Sequence, residues 1–541
     1  MDSYNTVAFA GTFLDPTSAK IGLALCLSAY AIYGSFAVAL CFFRPEERNK
    51  STDFFITARN SQSVLWSACS WFASAMGVWT LTGPPSIATG TGVLGLINLS
   101  VFTGLPLVML AFFGSSVREN VPNATSVSSY AKWRYGTIAQ IFVLLIVLLY
   151  LTMSLLTEYQ AIAGIFATFF GCSPYVPLIT VGIITMIYTT LGGLYVSIIT
   201  DLFQTSIVLL LTLGATIYLG VSFKDQPALG PLPDYLGVTA YGWETFATLA
   251  IPFICGTFYG EGFWQRVWSA KDNRSLCLGA VIGGSLASIV IFILGFGGIL
   301  AYWSGRVSFD ETRPFDSNYA FFYAFADSTG TISPVVTIVI LLFGTVMNES
   351  AVDSFQNAIT DTLTTVAIGL FGLKVQPIYV RAVVLLANIP LMAGAAYLST
   401  RNVSILNTFG VANLITTMTF PPLAAGLLPQ LNNLLTSFSA IGSCVCAFFS
   451  TMVYAFLAYG NLVDGMANVW WTPNYDYKAF LVAFISSIVF IPVCIGVEAV
   501  GRNLLGLKMP HFNPDKDKKP APPVDGVVAV DSAVANAIKS A

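Results

Sequence analysis

Three carboxylates stand inside one of the most apolar regions of this chain. The stretch FGTVMNESAVDSFQNAITDTL, residues 343–363, carries Glu349, Asp353 and Asp361 with Asn348, Gln356 and Asn357. At about 100° per residue, Glu349 and Asp353 fall about 40° apart on one helix face, with Thr345, Gln356 and Thr360 between or beside them. The opposite arc holds Met347, Ala351, Phe355, Ala358 and Ile359. Glu158, in LLTEYQAIAG, and Glu261, in CGTFYGEGFWQ, are two more acids in apolar surroundings. If such helices sit in lipid, each carboxylate costs on the order of 3 kcal/mol at the centre. Idle ones are therefore disfavoured. We expect them to bind a cation, carry a proton or hold a polar solute; the alternative is a neutral, hydrogen-bonded pair that cements helices. Asp361 is expected near a helix end, solvated. Asp201, in TDLFQ, is expected to cap a helix N-terminus, and Arg266 with Lys271 to anchor the end of a span.

The elements that position these acids must be membrane helices. Of 541 residues, 55% are hydrophobic, 14% aromatic and only 9% charged, against about 25% charged in soluble domains. There are too few charges for a hydrated shell, so the class is a polytopic membrane protein. The net charge of −3 says little about partners. The nine cysteines lie mostly in apolar runs, form no CxxC, and read as small packing residues. The one histidine, His511, falls in the tail, which excludes His-based zinc sites and proton relays. Residues 1–20 lack a basic n-region, so the first apolar run is expected to remain as a helix rather than be cleaved. HExxH, a Walker-type glycine loop and GxGD are absent, and no enzyme activity is expected.

With about 20 apolar residues per crossing, thirteen spans are expected, at roughly 21–43, 64–90, 93–114, 138–168, 176–194, 200–221, 245–268, 276–303, 333–365, 377–399, 403–428, 433–459 and 478–500. With the N-terminus outside, the inner side holds Arg44, Arg48, Lys50, Arg59, Arg118, Lys132, Arg134, Arg266, Lys271, Arg274, Lys374, Arg381, Arg502, Lys508, Lys516, Lys518, Lys519 and Lys539. The outer side holds Lys20, Lys224, Arg306, Arg313, Arg401 and Lys478. That bias sets the orientation, N-terminus out and C-terminus in. The organisation is then an extracellular 1–20, a transmembrane domain over 21–500 and a disordered, Pro- and Lys-rich cytoplasmic tail over 501–541. The outer loop at about 304–332 suits a short gate or lid, and Asn402 is the one outer sequon.

Two spans are interrupted. The second contains ASAMGVWTLTGPPS, with Gly77 and then Gly83-Pro84-Pro85; the seventh contains Gly256, Gly260 and Gly262 around Glu261. Broken spans five apart point to inverted repeats whose breaks expose backbone groups to a bound solute; plain kinking is the alternative. Glu261 gains free backbone company at such a break. Trp79, Tyr259, Phe263 and Trp264 flank the breaks and suit stacking on a small planar solute, a gate, or packing.

Several stretches together resemble the sodium:solute symporter family. YTTLGGLYVSIITDLFQ (188–204) is similar to its signature, although Val196 stands where a small residue is usual. STDFFITARNS (51–61), ASAMGVWTL (73–81) and GFWQRVWSAK (262–271) resemble its second-span approach, unwound second helix and seventh-span end. Within the family, VPNATSVSSYAKWRYG (121–136) and GTFYGEGFWQ (256–265) look most like the urea-active transporters of fungi and plants.

The resemblance implies an all-α, leucine-transporter-like protein with a five-plus-five inverted repeat in spans 2–11 and solute import driven by Na+ or H+. It also implies a cation site built from the carbonyls of Ala73 and Met76 and from the ninth span, where the family's small-Ser-Thr set falls on Thr345, Asn348 and Glu349. Asn and Glu replace the family's Ser and Thr there. Solute is expected near Glu158, Glu261, Asp353 and the four aromatics. Urea leads among solutes, and a passive channel or a non-transporting sensor are the alternatives. No cofactor beyond the coupling ion and no nucleic-acid partner are expected; the partners are solute and lipid, with the plasma membrane as location.

Overall fold

The computed structural model describes residues 14–43, 52–121, 124, 126–223, 229–305, 317–326, 332–371, 377–400, 405–471, 476–510 and 512. The N-terminal segment, most of the tail, Asn402 and parts of the 304–332 loop lie outside them. The described residues are almost entirely helical, with only the isolated bridges Gln62–Ala270 and Ala326–Ile332 in extended pairing. The helices are α1 (Pro16–Phe43), α2 (Val64–Ala75), α3 (Gly83–Asn120), α4 (Val127–Tyr135), α5 (Thr137–Phe170), α6 (Tyr175–Ser222), α7 (Ile251–Tyr259), α8 (Glu261–Ser269), α9 (Asn273–Trp303), α10 (Pro334–Phe371), α11 (Pro377–Thr400), α12 (Ile405–Ala424), α13 (Ser437–Tyr459) and α14 (Tyr477–Leu504).

Among the described residues, eight helices are long and apolar enough to cross a membrane by themselves. Of the other expected spans, the second and seventh are split into halves, and the tenth and eleventh are the single helices α11 and α12. α6 carries the fifth and sixth spans, joined at Gly193, where φ is 61° and ψ −159°. That backbone region is open essentially to glycine alone. A Cβ there would also lie 2.5 Å from the Phe55 carbonyl oxygen. α3 carries the end of the second span and all of the third, bent at Gly92. The second span is α2 plus the start of α3, and the seventh is α7 plus α8. A π-helical stretch, Phe246–Ala250, leads into α7.

α1 lies against α6 and α10, and α10 also packs on α5. α9 packs along α3 and α2, and α13 along α14. Leu145, Leu210, Leu457 and Val497 remain exposed, the outward apolar surface that a lipid-embedded bundle presents. Side-chain caps start several helices: Ser126 accepts from the Ser129 amide, Asp272 from that of Ser275, and Thr436 and Ser439 form a capping box. In the 304–332 loop, the described part packs its rings inward: the Phe322 and Phe169 ring centroids are 4.4 Å apart.

Candidate functional site

The first break is held by a carboxylate. α2 stops at Ala75, the Met76 amide donates back to the Ala73 carbonyl, and Gly77 is extended. A single 3-10 turn, Val78–Leu81, follows before Pro84-Pro85 restart the helix. Glu158 of α5 lies against this turn and accepts from the Val78 amide at 3.0 Å. Gly77 is required by that approach: a Cβ would meet Glu158 Oε1 at 2.1 Å. Asn348 of α10 donates to both the Glu158 backbone carbonyl and its Oε2 at 3.2 Å, and Tyr30 of α1 donates to Asn348 Oδ1 at 2.9 Å. A chain of hydrogen bonds thus runs from α1 through α10 and α5 to the broken helix. The sequence assigned no role to Tyr30; a lone tyrosine in an apolar run carries no signal.

Of the expected cation ligands, Asn348 reaches the break through Glu158. The Ala73 carbonyl is occupied by the Met76 amide. Met347, expected on the apolar arc, meets the 3-10 turn with its Sδ 3.9 Å from the Thr80 hydroxyl, and Gly344 faces Val78 and Leu81 of the same turn. Asn348 is spent on Tyr30 and Glu158. Thr345 donates to its own helix at Leu341. Glu349 points away from the break, towards α1: the Cβ direction of Gly34 ends 3.5 Å from Glu349 Oε1.

The expected face of α10 does bring Glu349 and Asp353 together, fully buried. Asp353 Oδ1 accepts from the Thr189 hydroxyl at 2.9 Å and from Asn357 at 2.7 Å. Asp353 Oδ2 and both oxygens of Glu349 have no partner. Gln356 reaches the Tyr159 hydroxyl at 3.3 Å. Asp361 departs from its expectation. It is fully buried rather than solvated, and Gln265 donates to it.

The second break is a single residue, Gly260, between α7 and α8. Trp264 Nε1 closes it by donating to the Phe258 carbonyl at 2.7 Å, and its ring packs on Trp268 and Phe113. Trp264 is thus a packing residue. Tyr259 is also fully buried, turned towards the Thr419 and Cys444 side. Glu261 faces α4 rather than the space between the breaks, accepting from the Val127 amide at 3.2 Å. Phe263 stacks on Trp71 of α2, with centroids 6.2 Å apart and planes 5° from parallel, so the rings bridge the two broken spans. Trp79 meets Phe253, Phe253 meets Phe409, and Phe409 meets Tyr150, at 6.5, 6.5 and 6.3 Å. The first three are half-buried, and the row lies beside the first break.

Two residues read as peripheral sit at the centre. Asp201 is not a helix cap and Arg266 is not an end anchor: both are buried and form an ion pair at 3.1 Å. Ser70 of α2 and Ser350 of α10 donate to Asp201. Arg266 also donates to Ser70, Ser354 and the Gly262 carbonyl. This knot joins α2, α6, α8 and α10. The available signal was one charge of each sign in two apolar spans.

The arrangement of broken helices in a packed bundle defines a leucine-transporter-like fold. A Na+-coupled sialic acid symporter, captured substrate-bound and outward-open, matches with a TM-score of 0.67 at 15% identity, over 89% of this chain and 97% of that one. Mhp1, a nucleobase-cation-symport-1 family transporter in a closed conformation with bromovinylhydantoin bound, matches with a TM-score of 0.52 at 15% identity, over 84% and 96%. At those identities the likeness shows the fold alone. Residues 54–307 match the model of the sodium:solute symporter family. The spermidine transporter DUR31 of Candida albicans is 25% identical over 468 residues, 85% of this chain and 87% of that protein.

Proposed function

We propose that this protein is a cation-coupled symporter that imports a small nitrogenous solute by alternating access, from outside to cytoplasm across the plasma membrane. The observation that carries the reading is Glu158 bonded into the unwound turn at Val78 and tied to α10 through Asn348. A solute or ion that disturbs this carboxylate perturbs the broken helix and the bundle together, which is what coupling requires. The solute position we favour is the space beside Trp79, Phe253 and Phe409, with Glu158 as the polar group nearest the break.

Urea is our first candidate, on the likeness of residues 121–136 and 256–265 to urea-active transporters; a flat amide stacks on such rings. A polyamine is the second, supported by the DUR31 match and by ring faces that attract ammonium groups. Radiolabelled urea and spermidine uptake, each with and without sodium at two pH values, tests both. Accumulation above equilibrium that collapses when both gradients are removed supports symport; uptake indifferent to either gradient overturns it.

A further inference from the structure

We infer that Glu349 and Asp353, enclosed between α1, α6 and α10, form a proton-carrying site separate from the first break. The inference rests on the symport reading and names its coupling ion. Both carboxyls are fully buried, one helical turn apart on α10. Both Glu349 oxygens and Asp353 Oδ2 lack partners. The buried hydroxyls of Tyr188 and Ser197 lie on α6 facing the pair, Ser197 within hydrogen-bond reach of Asp353. They flank the bend at Gly193, so the site abuts a hinge.

Among the described residues, no cation forms an ion pair with either carboxyl. From α1 the pair is faced by Tyr30 and Tyr33, from α6 by Tyr188, Thr189, Ser197 and Asp201, and from α8 by Arg266. Arg266, the one cation of that set, is bonded to Asp201, Ser70, Ser354 and the Gly262 carbonyl. Two adjacent buried carboxylates without a cation cannot both remain ionised.

A proton fits better than sodium, which needs a shell of several oxygens. Tyr30 and Tyr33 hydroxyls are turned to Asn348 and the Thr200 carbonyl. The wall at Gly34 is so close that a Cβ there would lie 2.2 Å from Ile184 Cγ2. A proton needs no added volume. α1, outside the repeat of spans 2–11, thereby becomes the cover of the coupling site.

Infrared spectroscopy of the full chain in lipid, with no solute present, reads the C=O stretch of protonated carboxyls. The expected result is a band at neutral pH that is insensitive to sodium and lost or shifted in Glu349→Gln or Asp353→Asn. Its absence from the wild type, its persistence unchanged in both variants, or its removal by sodium chloride overturns the site. In proteoliposomes, a one-unit inward pH gradient is expected to drive wild-type accumulation of urea or spermidine up to about tenfold for one proton per solute. In Glu349→Gln this accumulation should vanish, while solute exchange at equal concentrations stays within about twofold of wild type. Accumulation retained by that variant overturns the proposal. If the wild type moves neither solute, the solute assignment fails, and the infrared result still decides the site.

Discussion

Two acid clusters lie along α10, and they are built in opposite ways. Asp201 has a guanidinium at 3.1 Å and hydroxyl donors from Ser70 and Ser350. Glu349, on the same helix as Ser350, has no partner on either oxygen. Both acids are equally buried. A permanent buried charge requires a fixed partner, and that partner stiffens the helices it joins; an acid that gains and loses a proton must have no fixed partner. The first arrangement suits architecture; the second suits the coupling role proposed above.

The sharpest way to break this contrast is Arg266→Leu. It leaves Asp201 charged and alone, and removal of one member of a buried pair costs roughly 3–5 kcal/mol. A large fall in the melting temperature of the purified protein is expected, with partial recovery in Arg266→Leu/Asp201→Leu. An unchanged melting temperature in the single variant shows that the knot does not hold the bundle. Gly193→Ala comes next: its backbone region costs about 1–3 kcal/mol for any other residue, and the Phe55 carbonyl stands in the way. Reduced stability and surface expression test it by the same melt.

Glu158→Ala strands the Val78 amide, at a cost of about 1–3 kcal/mol. It should abolish uptake while a folded fraction persists by size-exclusion chromatography; normal uptake removes Glu158 from the transport cycle. Trp79→Leu keeps an apolar side chain but loses the aromatic face, worth about 0.5–1.5 kcal/mol, along with some volume. The expected result is a KM raised several-fold at near-normal kcat, and equal KM values place the solute elsewhere. The smallest effect on stability belongs to Glu349→Gln, within about 0.5 kcal/mol, because an uncharged acid and an amide have similar shapes. A melting loss as large as that of Arg266→Leu erases the distinction between the clusters.

Much of this was legible in local pattern. Runs of apolar residues marked the spans, and Gly77, Gly83-Pro84-Pro85 and Gly260 marked the breaks, because glycine and proline act on the backbone at their own positions. The spacing of Glu349 and Asp353 marked their common face. The sequence pattern misread Asp361, Asp201 and Arg266 as peripheral, since their surroundings come from distant helices. It took Asn348 and Glu349 together to the first break; Asn348 is bonded to Glu158 there, while Glu349 lies against α1.

The chain's composition alone determined a lipid-embedded helical bundle, and its glycines and prolines determined where two helices stop and restart. Only the tertiary structure decided which carboxylates have partners. Tyr30 meets Asn348 across 318 residues, and Arg266 meets Asp201 across 65. Periodicity orients a side chain on its own helix, whereas a hydrogen bond or ion pair depends on which other helix stands within about 3 Å.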